Sequence, residues 1–376
     1  MTNPPPPGNW GPPQPGPQPP YGHGQPQYGA GQWPQQPGWG PPPTPRNNGL
    51  KWLLIGVAVL LVIAISVGAT LLFTRDSGNG PTQSANGSPP AAGDIASAND
   101  TGPVGIVTDD PSCQPWRSIN DALAEEQSDS WVNRDYSRPA SVWTTEEREI
   151  HEQVADAMDR AAEKTVQLVK MTPHRIMREL FEQSIAYWRA YADAIGSYTP
   201  SDNHLAVAAS DAGATLVAIC AAIDYESAAT WAPLVPPGPT PNSIAPIGDP
   251  SNPEMFIGPS GDPICEDWLR LTTGFENSTK EWRESDLNIP ASQWQEDQRA
   301  LMEETGAVMT TFANNIATLA GESENPTLQD LSNLTGQYLR AYVESIPTYT
   351  TADSFFASAG TRSYLIVSNA CGAAGS

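Results

Sequence analysis

Two copies of one short polar pattern are the best candidates for chemistry in this chain. Tyr187-x-Arg189-Ala190-Tyr191 recurs as Tyr338-x-Arg340-Ala341-Tyr342, and an acid follows each arginine by four residues, Asp193 and Glu344. A guanidinium beside two phenols offers charge-assisted and amphipathic contacts to an acidic or glycan-like ligand. Tyr187, Arg189, Tyr191, Tyr338, Arg340 and Tyr342 are therefore the ligand-binding candidates. Residues four apart on a helix share a face, so a structural Arg–acid pair beside packed tyrosines is the competing reading.

The other reactive side chains do not form a catalytic set. His151-Glu152 opens like the zinc-protease pattern HExxH, but Ala155 stands where the second histidine belongs. No GxSxG, P-loop or GxGxxG pattern occurs in the folded part. Carboxylates are plentiful, and nothing selects a glycosidase-type pair among them. No catalytic residue, metal ligand or cofactor is assigned, and a non-enzymatic role is expected.

The pattern recurs because the whole domain recurs. At a shift of 151 residues Trp131 meets Trp282, Pro139-Ala140-Ser141 meets Pro290-Ala291-Ser292, Trp143 meets Trp294, Tyr198-Thr199 meets Tyr349-Thr350, and Cys220 meets Cys371. Cys113 and Trp116 match Cys265 and Trp268 at a shift of 152. Self-similarity over a span this long marks whole duplicated domains rather than solenoid turns. His151, His174 and His204 become Met302, Asn325 and Phe355 in the second copy, so they read as surface or partly packed residues. Each copy holds one cysteine near its start and one near its end, an even pattern that reads as disulfides in an exported segment. Four cysteines allow three connectivities. Duplication favours Cys113–Cys220 and Cys265–Cys371, and four buried free thiols are the alternative.

Both copies read as helical, about four helices each. The second helix is expected to begin near Ser141, a plausible N-cap. Its apolar face runs through Trp143, Ile150, Val154, Met158, Ala161, Thr165 and Leu168, matched by Trp294, Leu301, Thr305, Met309, Phe312, Ile316 and Leu319. A third helix follows Pro173, and a small-sided fourth runs from Leu205 to Cys220. That fourth helix resembles a membrane span in composition. Asp211, and the polar residues of its counterpart, favour a buried helix with close neighbours. The fold class is all-α: tandem duplicated helical-bundle domains on a single transmembrane helix.

Upstream of the repeats, residues 1–45 hold 17 prolines and no acidic residue, a composition expected to be disordered with polyproline II character. From Trp52 to Phe73 no residue is charged, long enough to cross a bilayer of about 30 Å. The expected organisation is a cytoplasmic Pro-rich tail over 1–50, a transmembrane helix over 51–74 and a flexible stalk over 75–108. Helical repeat domain 1 follows over 109–228, a Pro/Gly-rich linker over 229–261 and repeat domain 2 over 262–376. The few flanking charges place the N-terminus in the cytoplasm. After position 75 there are 16 basic and 42 acidic residues, a net charge of −26 that argues against nucleic-acid binding.

The run Met1-Thr2-Asn3-Pro4-Pro5-Pro6-Pro7-Gly8 and the Gln-Pro-Gly-Tyr-Trp composition, leading into Lys51 and the span, resemble proline-rich, single-pass envelope proteins of mycobacteria and related actinobacteria. The resemblance covers about the first 80 residues and implies an inner-membrane protein with its C-terminal part outside the cytoplasm. The expected function is non-enzymatic: the tandem helical part binds or scaffolds a protein or envelope partner, and the Pro-rich tail is a docking segment for a protein partner, a disordered spacer or a self-association segment. The alternative is a sensor or carrier for a small or lipidic ligand within or between the repeats. The two repeats are expected to pack about a pseudo-two-fold axis rather than hang as separate beads.

Overall fold

The computed structural model describes residues 95–127 and 129–375. The expected tail, transmembrane helix and most of the stalk lie outside the described residues. All described residues fall within one compact unit, 86–376. Among them the secondary structure is helical throughout, and the all-α expectation holds.

The first repeat comprises α1 (Cys113–Glu126), α2 (Asp129–Val132), α3 (Thr145–Met171), α4 (Arg175–Ala194), α5 (Asn203–Asp224) and α6 (Ser227–Trp231). The second comprises α7 (Cys265–Ser278), α8 (Lys280–Glu284), α9 (Glu296–Ala320), α10 (Pro326–Ser345) and α11 (Ser354–Ala373). Four longer helices and their short companions thus build each copy.

The start of α3 corrects the expectation of an N-cap at Ser141. Pro139 leads into a 3-10 turn over Ala140–Val142, whose first amide donates to the Tyr198 carbonyl at 2.9 Å. The cap is Thr144. Its hydroxyl accepts from the Glu147 amide at 3.2 Å, and the Glu147 carboxylate accepts from the Thr144 amide at 2.7 Å, a capping box. Helices α5 and α11 each follow a 3-10 turn closed by a capping box, Thr199 with Asp202 and Thr350 with Asp353. In α10, Pro326 occupies the first turn and the Asn325 side chain caps the Leu328 amide at 3.1 Å.

The expected apolar face of α3 is its buried face: Val154, Met158, Ala161, Thr165 and Leu168 are buried. In α9 the same register buries Thr305, Met309, Phe312 and Ile316. Cys113 bonds Cys220 and Cys265 bonds Cys371, so a disulfide ties the first long helix of each repeat to its last. Helix α5 and its flanking turn (Pro200–Asp224) pass the length and composition test for a membrane span, but 72% of the apolar window is buried inside the protein. It is a core helix.

What buries it is the other repeat. Helices α5 and α11 pack antiparallel: His204 Nδ1 lies 2.9 Å from Asn369 Oδ1, Arg362 donates to Asp211 at 2.8 Å, and the Tyr225 and Phe355 rings stack at 5.5 Å. A Cβ at Gly372 would come within 2.8 Å of the His204 ring, so the helices approach as closely as a glycine permits. The buried apolar residues of both repeats form one continuous cluster.

The segments leading into the repeats cross over as well. The Val107 amide donates to Tyr338 Oη at 3.2 Å, so the lead-in of repeat 1 lies on repeat 2. Residues 254–256, leading into repeat 2, lie on repeat 1, where Gln183 donates to the Glu254 carbonyl at 3.2 Å and accepts from the Phe256 amide at 3.0 Å. Contacts that recur when the repeats are exchanged define an approximate two-fold axis.

Candidate functional site

The six tyrosine and arginine candidates do not line one surface. Tyr187, Tyr191, Tyr338 and Tyr342 are fully buried, while Arg189 and Arg340 sit on the half-exposed side of α4 and α10. Positions two apart on a helix point about 200° apart, so the arginine necessarily faces away from its flanking tyrosines. Arg189 donates to the Ser251 carbonyl and Arg340 to Asn314 Oδ1 at 2.9 Å. Neither forms an ion pair with its i+4 acid, Asp193 or Glu344.

The tyrosines are core residues, and the tips of Tyr191, Tyr338 and Tyr342 are held by hydrogen bonds. Tyr191 Oη lies 2.6 Å from His151 Nδ1. Tyr342 Oη accepts from Trp282 Nε1 at 2.8 Å and lies 3.4 Å from Met302 Sδ. Tyr187 Oη is buried beside the Ile257 backbone, outside hydrogen-bonding geometry. Burial pushes all four phenols above their ordinary pKa.

The histidines are structural too. His151 stacks on Trp143 at 4.0 Å, within a cluster completed by Trp131, Tyr191 and Tyr198. Burial, with the Arg134 guanidinium adding to it, pushes the imidazole down to about 4. His174 Nε2 lies 2.9 Å from the Asp109 carbonyl oxygen, and His204 joins the α5–α11 contact.

A charged cluster is buried where the repeats meet. Arg175 grips Asp330 with two hydrogen bonds, 2.7 and 3.2 Å, and donates to the carbonyls of Asp100 and Gly102 at 2.7 and 3.0 Å. Glu179 is the counterpart of Asp330 and lies 4.0 Å from Arg175 and 3.6 Å from Arg178, with neither oxygen hydrogen-bonded. Burial, then the negative Asp330, holds Glu179 well above the usual carboxylate range. The Arg175, Glu179 and Asp330 side chains are almost fully buried, and the Arg175–Asp330 pair joins the two repeats.

A larger open feature lies elsewhere, between α7 and α9. Here a groove of about 800 Å³ is lined by Leu271, Gly274, Phe275, Val308, Thr311 and Phe312 among others. Its floor is the stacked Phe275–Phe312 pair, 4.0 Å apart. Asp267 and Arg270 are its only charged lining residues, and they pair with each other.

The same place in repeat 1 is built differently. Ser278, Ala307, Thr311 and Asn315 correspond there to Glu126, Asp156, Arg160 and Lys164. Glu126 accepts from Gln153 at 2.8 Å and from Arg160 at 3.4 Å, so polar side chains bridge α1 to α3. Repeat 2 has neither end of the Arg160–Glu126 bridge. Matching the copies for shared residues could not find this groove, because its signal lies in what the copies do not share.

A family model described as mycobacterial ESX-1 associated protein matches residues 95–375. An uncharacterized protein of Mycolicibacterium smegmatis (strain MKD8) is 43% identical over 363 residues, covering 96% of this chain and 96% of the relative. No solved structure matches the chain. The expected tie to mycobacteria stands, and the family match rests on the helical part rather than on the proline-rich tail.

Proposed function

The chain belongs to the family of mycobacterial ESX-1 associated proteins, and on that footing we propose that it is a non-enzymatic docking scaffold of the cell envelope. In this reading the apolar stretch 52–73 anchors the chain with its N-terminus in the cytoplasm. The two disulfide-closed repeats stand outside, and the α7–α9 groove holds a protein of the ESX-1 system. The disulfides fit an oxidising compartment.

One observation carries the proposal. Two copies of a domain share core positions, a disulfide and the capping box ahead of the last long helix, yet one groove is bridged by charged side chains and the other is open and apolar. Open apolar concavities of this size on an otherwise acidic surface are a mark of interaction sites.

The test is a photo-crosslinking residue at Asn315, on the groove wall, in the full chain expressed in mycobacterial cells. The control is S278E/T311R, which installs the repeat 1 bridge in repeat 2. The proposal expects a discrete protein adduct that this variant abolishes without lowering the melting temperature. No adduct, or the same adduct in both proteins, overturns it. An adduct of lipid alone transfers the groove to a lipidic ligand.

A further inference from the structure

We propose that the α7–α9 groove seats an amphipathic helix of a partner protein, about three turns long, apolar on its buried side and flanked by lysine or arginine. This rests on the docking reading above and specifies the occupant.

Length comes first. The lining runs from Asp267 to Ser278 on α7 and from Ala307 to Leu319 on α9. At about 1.5 Å per residue that is roughly 17 Å, or three helical turns. Shape agrees with it. Gly274, Ser278, Ala307 and Thr311 are small and exposed, so a third helix can approach closely over the Phe275–Phe312 floor. Half-exposed Leu271, Val308 and Leu319 supply the apolar contacts.

Charge selects among such helices. Glu303 and Glu304 lie one turn before Ala307 and Val308, and Glu266 stands at the other end; all three are exposed and have no ion-pair partner among the described residues. Repeat 1 shows what such an acid does here: Glu126 takes the guanidinium of Arg160 across the groove. Repeat 2 carries Ser278 and Thr311 in place of that pair, so no cation of its own spans the groove, and Glu303 and Glu304 at its end are open to a basic flank on the occupant. A second copy of this chain docking groove to groove would set Glu303 and Glu304 against themselves. An anionic lipid surface meets the same repulsion.

The test uses the full chain in detergent and two stapled peptides of about 14 residues, each with a leucine stripe, one flanked by lysines and one by glutamates. Fluorescence anisotropy is read at low and high salt. The lysine peptide is expected to bind about tenfold or more tighter than its twin, with the preference shrinking as salt rises. Glu303→Lys/Glu304→Lys is expected to reverse the preference, and S278E/T311R to abolish binding of both peptides. Equal binding, a preference for the glutamate peptide, or binding untouched by S278E/T311R overturns the proposal. If neither peptide binds while the Asn315 crosslinker still captures a partner that S278E/T311R releases, the docking reading stands and this occupant falls. If the crosslinker captures nothing either, both fall. Capture of a second copy of the chain also overturns the helix proposal.

Discussion

Asp211 and Arg362 hold the same position in the two repeats, 151 residues apart, and each is the other's partner: Arg362 Nη1 donates to Asp211 Oδ1 at 2.8 Å. A residue that meets its own counterpart lies on the symmetry axis. Two identical copies would face acid with acid or base with base there, so only divergence after duplication can place opposite charges on it. Asn369 Nδ2 adds a hydrogen bond to the second Asp211 oxygen at 3.1 Å.

The pair therefore has a testable asymmetry. Burial pushes the Asp211 carboxyl up to about 6, against the pull of Arg362 and Asn369. Arg362→Ala leaves that carboxyl uncompensated and is expected to cost about 3 kcal/mol in denaturant unfolding. Exchanging the charges, Asp211→Arg with Arg362→Asp, is expected to recover only part of the loss. The axis accepts either order, but Ala218 stands where Asn369 would be needed.

His151 should make the protein acid-sensitive. Its folded pKa, about 4, lies below the ordinary 6.5, so the unfolded chain takes up the proton first. This contribution is fully present above about pH 6.5 and is lost as pH falls through 4, at most roughly 3 kcal/mol. Repeat 2 supplies the replacement, Met302. His151→Met is expected to melt closer to, or above, the parent as pH falls from 6.5 to 4. Parallel melting curves over that window would count against the buried neutral imidazole.

Two glycines separate packing from propensity. A Cβ at Gly360 would lie 2.8 Å from Leu339 Cδ2 and 3.2 Å from the Leu339 backbone nitrogen, whereas one at Gly274 meets nothing within 4 Å. Gly360→Ala is expected to destabilise by about 1–3 kcal/mol through overpacking. Gly274→Ala, in the exposed middle of α7, is expected to stabilise by up to about 1 kcal/mol. Thermal melts of the two variants should move in opposite directions.

Each disulfide spans more than a hundred residues, with separations of 107 and 106. Replacing either pair by alanine is expected to cost about 4–5 kcal/mol on the chain-entropy account. Because the two loops are nearly equal, unequal losses in calorimetry would show that one repeat carries more of the stability than the other.

Much of this architecture was legible in the sequence because duplication kept the residues that define a core. The helical face from Val154 to Leu168, the small-sided α5 and both cysteine pairings could be read from positions the copies share. Three things were not. The start of α3 hid behind Pro139-Ala140-Ser141, which looks like a cap but folds as a 3-10 turn bonded to Tyr198. Tyr-x-Arg-Ala-Tyr looked like one polar surface, yet helical geometry sends its arginine away from its phenols. The groove escaped because it is an absence, a bridge that repeat 1 makes and repeat 2 lacks.

The crossing of the lead-in segments decides how the molecule bears load. Tension entering from the N-terminal side of residue 95 does not reach repeat 1 alone. It meets α4 where Asp100 accepts from the Arg175 amide at 2.7 Å, and α10 where Val107 donates to Tyr338. Arg175 in turn holds Asp330 of repeat 2. A pull on that end is therefore met by contacts to both repeats rather than to one.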